Sequence, residues 1–275
     1  MAQTFDRTTI VITGASQGVG AATARAFAER GANLVLVARG REKLDALAHE
    51  LDLGGRVMVA PLDVTDIAGF DKLLARADEM FGSVDVLVNN AGFHSRGTVE
   101  AVPVDEIARM VDVNLKAPLM ACRLVLPYLR KAKTPAIINV ASLAGRTPIP
   151  GSATYSATKF GLRAFGLALA EELRGSGIKI ASISPGPIDT GFIMDDIDTV
   201  ADLTFSQPMS TAEQVAEAIV GLVGNNTVDL PMPRISGYLT TISYLFPGIG
   251  RALRPMLEKK GRRTKERLKR ERGHG

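Results

Sequence analysis

Apolar positions along this chain follow two alternating rhythms. Short unbroken apolar runs, TTIVIT at 8–13, NLVLVA at 33–38, Val57–Ala60, Val84–Asn89, Ala136–Val140 and Ile178–Ser184, predict strands. Between them lie helical patterns: an Ala-rich run to about Arg30, then 41–51, Ile67–Met80, a long stretch over 104–131 with Pro118 and Pro127 as candidate breaks, Ser152–Leu173, and Thr211–Val223. Strands that are apolar throughout are buried on both faces, and their alternation with helices predicts a parallel sheet covered on both sides. Right-handed crossovers leave an α/β, Rossmann-like, doubly wound parallel sheet as the simplest topology. Residues 187–210 carry no clean period and follow the sixth strand at a carboxyl edge. A mobile lid of loop and short helices is expected there, with an ordinary surface excursion as the alternative.

At 275 residues and 46% hydrophobic the chain can bury one large core, and no composition break divides its body. The expected organisation is a single dinucleotide-binding and catalytic domain over 1–230 with a C-terminal extension over 231–275. Trp is absent and aromatics make up 5%, so Val, Leu, Ile and Ala must build the core. The one cysteine, Cys122, forms no internal disulfide and reads as an inert packed residue. The start, MAQTFDR, carries no signal-peptide pattern, and the apolar stretches are too short to span a bilayer, which makes a cytoplasmic setting the default. His49, His94 and His274 form no metal-ligand spacing, so no metal is expected. His94 reads as a solvent-facing loop residue, with an approach to the substrate pocket as the alternative.

Charge is uneven. Residues 251–275 hold eleven Lys or Arg against three Glu, a net +8 in a chain of net +4, which leaves the first 250 residues at −4. The basicity belongs to the tail.

Three local patterns point to chemistry. Thr13-Gly14-Ala15-Ser16-Gln17-Gly18-Val19-Gly20 stands between the first strand and the first helix. Glycines at 14, 18 and 20 let the backbone turn sharply beside a pyrophosphate, and the helix that follows offers free N–H groups to it. Tyr155 and Lys159 are four apart in a helical run and share a face. A nearby ammonium favours phenolate and brings a phenol of pKa about 10 toward use as a general acid or base. Ser142 directly follows the fifth strand, at the sheet edge, where its hydroxyl can hold a carbonyl oxygen or simply cap a turn.

TGASQGVG at 13–20, NNAG at 89–92, Asn114, Ser142, YSATK at 155–159 and PG at 185–186 occur in that order, and over about 8–223 the chain resembles the classical short-chain dehydrogenases/reductases. The resemblance implies an active oxidoreductase in which Tyr155 transfers the proton, Lys159 binds nicotinamide ribose and lowers the Tyr155 pKa, Ser142 holds the reacting oxygen, and Asn114 positions a relay water. It implies cofactor contacts from Gly14, Ser16, Gln17, Gly18, Val19 and Gly20 in the turn. It further implies Asp63 on the adenine amino group, Val64 beside the ring, Asn90, Ala91 and Gly92 at the ribose, and Pro185, Gly186, Ile188 and Thr190 at the nicotinamide. Asn89 and Asn90 can also tie neighbouring strands together.

After the second strand stand Ala38, Arg39 and Arg41. An acidic residue at 38 would favour NAD, whereas a guanidinium at 39 can pair with a 2′-phosphate, so NADP(H) is the expected cofactor. Stacking of Arg39 on adenine, or plain solvation, is the alternative, and Gln17 stands where some NADP-preferring relatives carry a second basic residue.

Substrate-facing positions at 93–96, 143–152 and 187–210 include Phe93, Leu143, Ile149, Phe192, Ile193, Met194, Leu203, Phe205 and Met209, a wall suited to a lipophilic ketone, aldehyde or secondary alcohol. A homo-dimer or tetramer through the helices at 104–131 and 152–173 is expected; the latter shows small residues Ala153, Ala157, Gly161 and Ala164 on one face. Beyond about 225 the chain departs from the compact family pattern: Val228–Leu230 is a short last strand, Pro231 and Pro233 an irregular link, and ISGYLTTISYLFPGIG at 235–250 precedes the basic tail. Residues 235–272 fit peripheral contact with an anionic membrane, a cap on the substrate pocket, a subunit interface, or, for the tail, a solvated segment. Two other functions stay open: a cofactor-binding regulatory or scaffold protein with little turnover, which the intact Asn114, Ser142, Tyr155, Lys159 set opposes, and nucleic-acid binding through the tail, for which no sequence-reading motif is present.

Overall fold

Seven strands, β1 (Thr9–Thr13), β2 (Asn33–Ala38), β3 (Val57–Pro61), β4 (Val86–Asn89), β5 (Ala136–Val140), β6 (Lys179–Pro185) and β7 (Asp229–Met232), form one sheet in the order 3-2-1-4-5-6-7. Every pairing is parallel. A computed structural model describes residues 4–271; the expectations for the start at 1–3, for Arg272 and for His274 fall outside them. The helices are α1 (Gly18–Ala28), α2 (Arg41–Leu51), α3 (Ile67–Phe81), α4 (Val104–Val111), α5 (Ala117–Leu129), α6 (Ala153–Glu172), α7 (Gly191–Met194), α8 (Ala212–Val223), α9 (Arg234–Leu245) and α10 (Pro247–Glu271).

Alternate strand residues feed opposite layers, as the pleat requires. Ile10, Ile12, Leu34 and Leu36 pack with Phe27 of α1 and Ile219 of α8, whereas Val11, Val35 and Val37 pack with Phe70 and Leu74 of α3 and Val125 of α5. This is the doubly wound fold expected from the runs of apolar residues. Strand order reverses at β1, between β2 and β4, and the crevice at that switch point is where such sheets bind ligands.

The structure departs from the sequence reading in three places. The strand expected from Val84 starts at Val86, because the Asp85 carboxylate instead accepts from Thr9 N–H at 2.9 Å and from Ser83 Oγ at 2.6 Å. The stretch 104–131 is broken one turn before Pro118 rather than at either proline: residues 112–116 form a widened π turn, closed by Ala117 N–H on the Asp112 carbonyl. Pro118 has no N–H to give to the carbonyl of residue 114, which fits a widened turn there, and Pro127 stays inside α5. Pro231 lies within β7 rather than in a link, as an edge strand allows, and the tail is the long helix α10.

Asp229 fastens this edge. It accepts from Arg163 of α6 at 2.6 Å and from Arg146, and all three groups are largely buried. Asp229→Asn leaves two guanidiniums without their counter-charge and is expected to cost about 3 kcal/mol, read from a denaturant melt; a loss below half that value would show the cluster to be well screened.

Candidate active site

The carboxyl ends of β1, β4, β5 and β6 open into a cavity of about 1650 Å³. At one end lies the glycine turn. Gly14 and Gly18 have φ of +67° and +54°, where side chains are strained. A Cβ on Gly14 would come within 2.9 Å of the Ala91 Cα, and one on Gly20 within 2.1 Å of the Gly14 carbonyl. The turn is therefore pressed against Asn90-Ala91 and leaves an open backbone cradle, which fits a pyrophosphate and no bulkier wall. Thr13 Oγ1 donates to Val88 O and accepts from the Asn90 and Ala91 N–H groups, and Asn90 Nδ2 donates to the carbonyls of Thr13 and Gly14. Asn89 Nδ2 donates to Asn139 Oδ1 at 2.9 Å, tying β4 to β5, and to the Cys122 sulfur. Burial pushes the Cys122 thiol up to about 12, so it stays protonated and inert.

Gly14, Ser16, Gln17, Gly18, Val19, Arg39, Asp63, Val64, Asn90, Ala91 and Gly92 line this end of the cavity; Gly20 does not, and acts by its close packing. Lys43 lines it too, with Nζ donating to Gln17 Oε1 at 3.0 Å. Sequence reading did not nominate Lys43, although its place one turn into α2 behind Arg39 is a usable signal. Asp63 is anchored by Thr65, whose N–H and hydroxyl both donate to Oδ1. Burial works against its ionisation, yet those bonds, with Arg39 and Arg109 nearby, hold its pKa below the usual value.

At the other end Tyr155 and Lys159 rise from α6 between Ser142 and the lid. Pro185, Gly186, Ile188 and Thr190 border the same space. The Ser142 hydroxyl lies near the Tyr155 phenol and favours its ionised form. Ser142 Oγ also accepts from Ala144 N–H at 3.1 Å, so it caps the 143–145 turn as well as facing the cavity. Lys159 is buried, its Nζ donating to Val140 O at 2.9 Å and standing 5.8 Å from the Tyr155 ring centre. Burial lowers the Lys159 pKa to about 8. It raises that of Tyr155, with the Ser142 hydroxyl and the charge of Arg96 pulling the other way. The expected lowering by Lys159 is not among the influences on the phenol, which are burial, Ser142 and Arg96. Asn114, in the π turn, is fully buried and clamps Phe93, accepting from its N–H at 2.9 Å and donating to its carbonyl at 2.8 Å.

His94 does not face solvent. Its ring stacks on Tyr155 at 4.2 Å, and burial, with Arg96 and Lys159 nearby, lowers its pKa to about 3, so it is neutral. Arg96 donates to Phe192 O at 2.6 Å and lies over the Phe192 ring, bridging the 93–97 loop to α7 of the lid. Neither contact had a local signal, since both depend on where the 93–97 loop meets distant helices, α6 for His94 and α7 for Arg96.

Of the apolar positions expected to face substrate, Phe93, Leu143, Ile149, Phe192, Ile193 and Leu203 line the cavity. Met194, Phe205 and Met209 do not: Met194 and Phe205 turn into a separate small core of the lid with Ile197 and Val200, and Met209 packs against it. Leu239, Ile242 and Tyr244 of α9, with Ile249 and Leu253 of α10, complete the wall. The C-terminal segment therefore caps the cavity. Among the described residues no helix is long and apolar enough to cross a membrane, and no group of three His, Cys, Asp or Glu is placed to hold a metal.

Comparison with known proteins agrees with this geometry. The family described as short chain dehydrogenase matches residues 8–200. The chain is 34% identical to the ketoacyl reductase HetN of a Nostoc species over 224 residues, 81% of this chain and 77% of the relative. It is 36% identical to an uncharacterized oxidoreductase of Staphylococcus aureus over 209 residues, 76% of this chain and 89% of that one. A crystal structure of a short-chain dehydrogenase/reductase, a glucose/ribitol dehydrogenase from Brucella melitensis, superposes with a TM-score of 0.77 at 30% identity, covering 84% of this chain and 96% of that one. The glycine turn at the β1–β4 switch point, the tyrosine and lysine one helical turn apart and these matches lead to one conclusion: the chain belongs to the short-chain dehydrogenase/reductase family and is an oxidoreductase with a nicotinamide-cofactor fold.

Proposed function

We propose that this oxidoreductase uses NADP(H) to interconvert a lipophilic ketone or aldehyde and its alcohol. The observation that carries this reading is the hydroxyl pair of Tyr155 and Ser142, beside a buried Lys159, in a cavity walled largely by apolar side chains. A nicotinamide dinucleotide, held by the glycine cradle, supplies or accepts the hydride.

The chain's own groups handle the oxygen. Ser142 Oγ–H donates to the carbonyl oxygen and holds it beside Tyr155. Tyr155 gives its proton to that oxygen as negative charge develops, or takes it back in oxidation. The Lys159 ammonium favours the phenolate left behind. Asn114 Oδ1 accepts one bond from Phe93 and keeps a second lone pair for the relay water that the resemblance implies. Neutral His94, flat on the phenol, fixes the ring's tilt and keeps water from that face. Supporting the lipophilic substrate, six of the nominated apolar positions line the cavity together with Leu239, Ile242, Tyr244, Ile249, Leu253, Met256 and Leu257 of α9 and α10. The printed activity of HetN, ketoacyl reduction, is the same class of carbonyl chemistry.

Support for NADP(H) comes from the adenosine end. β2 ends at Ala38 with no acidic residue, and Arg39 and Lys43 flank the turn, Lys43 supplying the second cation that Gln17 does not. A homo-oligomer is part of the proposal, because Ala153, Ala157 and Ala164 of α6 lie exposed along one face.

Tyr155→Phe should lower kcat for reduction of an apolar ketone at least 100-fold with cofactor affinity kept; an unchanged rate removes the assigned mechanism. The reductive rate should fall as pH rises through about 8, where the Lys159 ammonium loses its proton; a level profile across that range contradicts the role. Arg39→Asp should shift the NADPH-to-NADH ratio of kcat/KM at least tenfold toward NADH, and no shift would show that Arg39 does not read the phosphate.

A further inference from the structure

The last two helices bury the wrong face for a water-exposed element. In α9 the side set against the body is small and polar: Ser236, Gly237 and Thr240 are buried, and a Cβ on Gly237 would meet the Pro231 ring at 2.2 Å. Its opposite side carries Ile235, Tyr238, Leu239, Ile242 and Leu245, at the spacing of one helical face, each 45% exposed or more. Phe246 continues that surface at the junction with α10. Of sixteen large apolar side chains exposed among the described residues, ten fall within 235–256, so the patch is a concentrated feature rather than scattered exposure.

α10 has two stripes. The inner one is latched to the lid: Gly261 sits where a Cβ would overlap the Asp202 carbonyl, Lys265 donates to the carbonyls of Asp198 and Val200, and Leu268 packs on the lid core. The outer one repeats at steps of four and three and is exposed throughout. It begins with Ile249, Leu253 and Met256 and continues with Lys260, Arg263, Arg267 and Arg270. Between residues 230 and 257 the chain has three arginines and no acidic residue. One continuous surface therefore passes from apolar to cationic, with no carboxylate in its apolar part.

We propose that this outer surface of α9 and α10 docks on an anionic lipid bilayer, with the apolar face among the acyl chains and the Lys260–Arg270 stripe on the phosphates. Apolar area supplies the depth and cationic charge the selectivity for anionic headgroups. A second copy of the chain could also cover an apolar face, but the cationic stripe would then set like charge against like charge across a two-fold contact. The cavity gives the docking a use. Leu239, Ile242, Ile249, Leu253 and Met256 belong both to the exposed surface and to the cavity wall, so a docked protein would present its mouth to the membrane. That consequence rests on the lipophilic-substrate reading; the docking itself does not.

Flotation of the full chain with vesicles tests it. Expected is binding to phosphatidylcholine vesicles containing one third phosphatidylglycerol, at least tenfold weaker binding to pure phosphatidylcholine, and weakening by salt. The variant Tyr238→Ser/Leu245→Glu/Phe246→Glu and the variant Lys260→Glu/Arg263→Glu/Arg267→Glu should each lose binding at least tenfold. Reduction of a small water-soluble aldehyde should be unchanged in both, since none of these side chains lines the cavity. No flotation with anionic vesicles overturns the proposal. So does binding that survives either variant, or a first variant that only splits an oligomer in sedimentation analysis. Membrane binding without turnover of apolar carbonyls would leave the docking standing and remove the substrate reading alone.

Discussion

Strands β1 and β4 lie side by side although Thr13 and Asn90 are 77 residues apart, and the hydrogen bonds between their carboxyl ends set the geometry of everything bound there. The Thr13 hydroxyl and the Asn90 amide satisfy backbone groups that a parallel sheet leaves open at its edge. In doing so they press the glycine turn onto Asn90-Ala91 so closely that no side chain fits at Gly14 or Gly20. The cradle is a product of that junction. A freely turning glycine loop would have the same sequence and no defined backbone surface to offer a phosphate.

Loss of water governs the other end of the cavity. It raises the Tyr155 pKa, lowers that of Lys159 to about 8 and keeps His94 neutral, so each group is pushed toward its uncharged form. Compensation comes from fixed partners: Val140 O for the ammonium, Ser142 for the phenol. Below about pH 8 the site therefore sets the Lys159 cation beside a neutral phenol and a neutral imidazole, and charge appearing on a substrate oxygen is felt strongly in this desolvated setting.

The C-terminal helices join lid, cavity and surface in one element. α10 holds the 195–206 segment through Gly261, Lys265 and Arg262, while α9 supplies cavity wall on one side and exposed apolar surface on the other. The 195–206 segment is therefore packed on α10, which is joined to α9 through the turn at 246. Part of the basic tail is engaged in this contact rather than solvated: Arg262 pairs with Asp202 and Lys269 with Asp198.

What the chain encodes locally was readable without coordinates. Unbroken apolar runs named the strands because burial on both faces leaves no polar alternation, and the glycine turn and the Tyr155–Lys159 pair were legible because each lies within one turn of backbone. The contacts that complete the site were not legible. His94 on Tyr155, Arg96 on Phe192, Lys43 on Gln17 and Gly261 on Asp202 join segments between 26 and 96 residues apart, or loops without a period. Met194 and Phe205 differ from Phe192 in which way short turns point them, with Ile193 bordering both the cavity and the small core, and hydrophobicity alone carries no such direction. Sequence determined which elements form and which chemistry they carry, since propensity and periodicity act over neighbouring residues. Tertiary structure decided which side chains meet, how much water each loses, and which face of α9 is left outside, since those depend on the packing of distant segments.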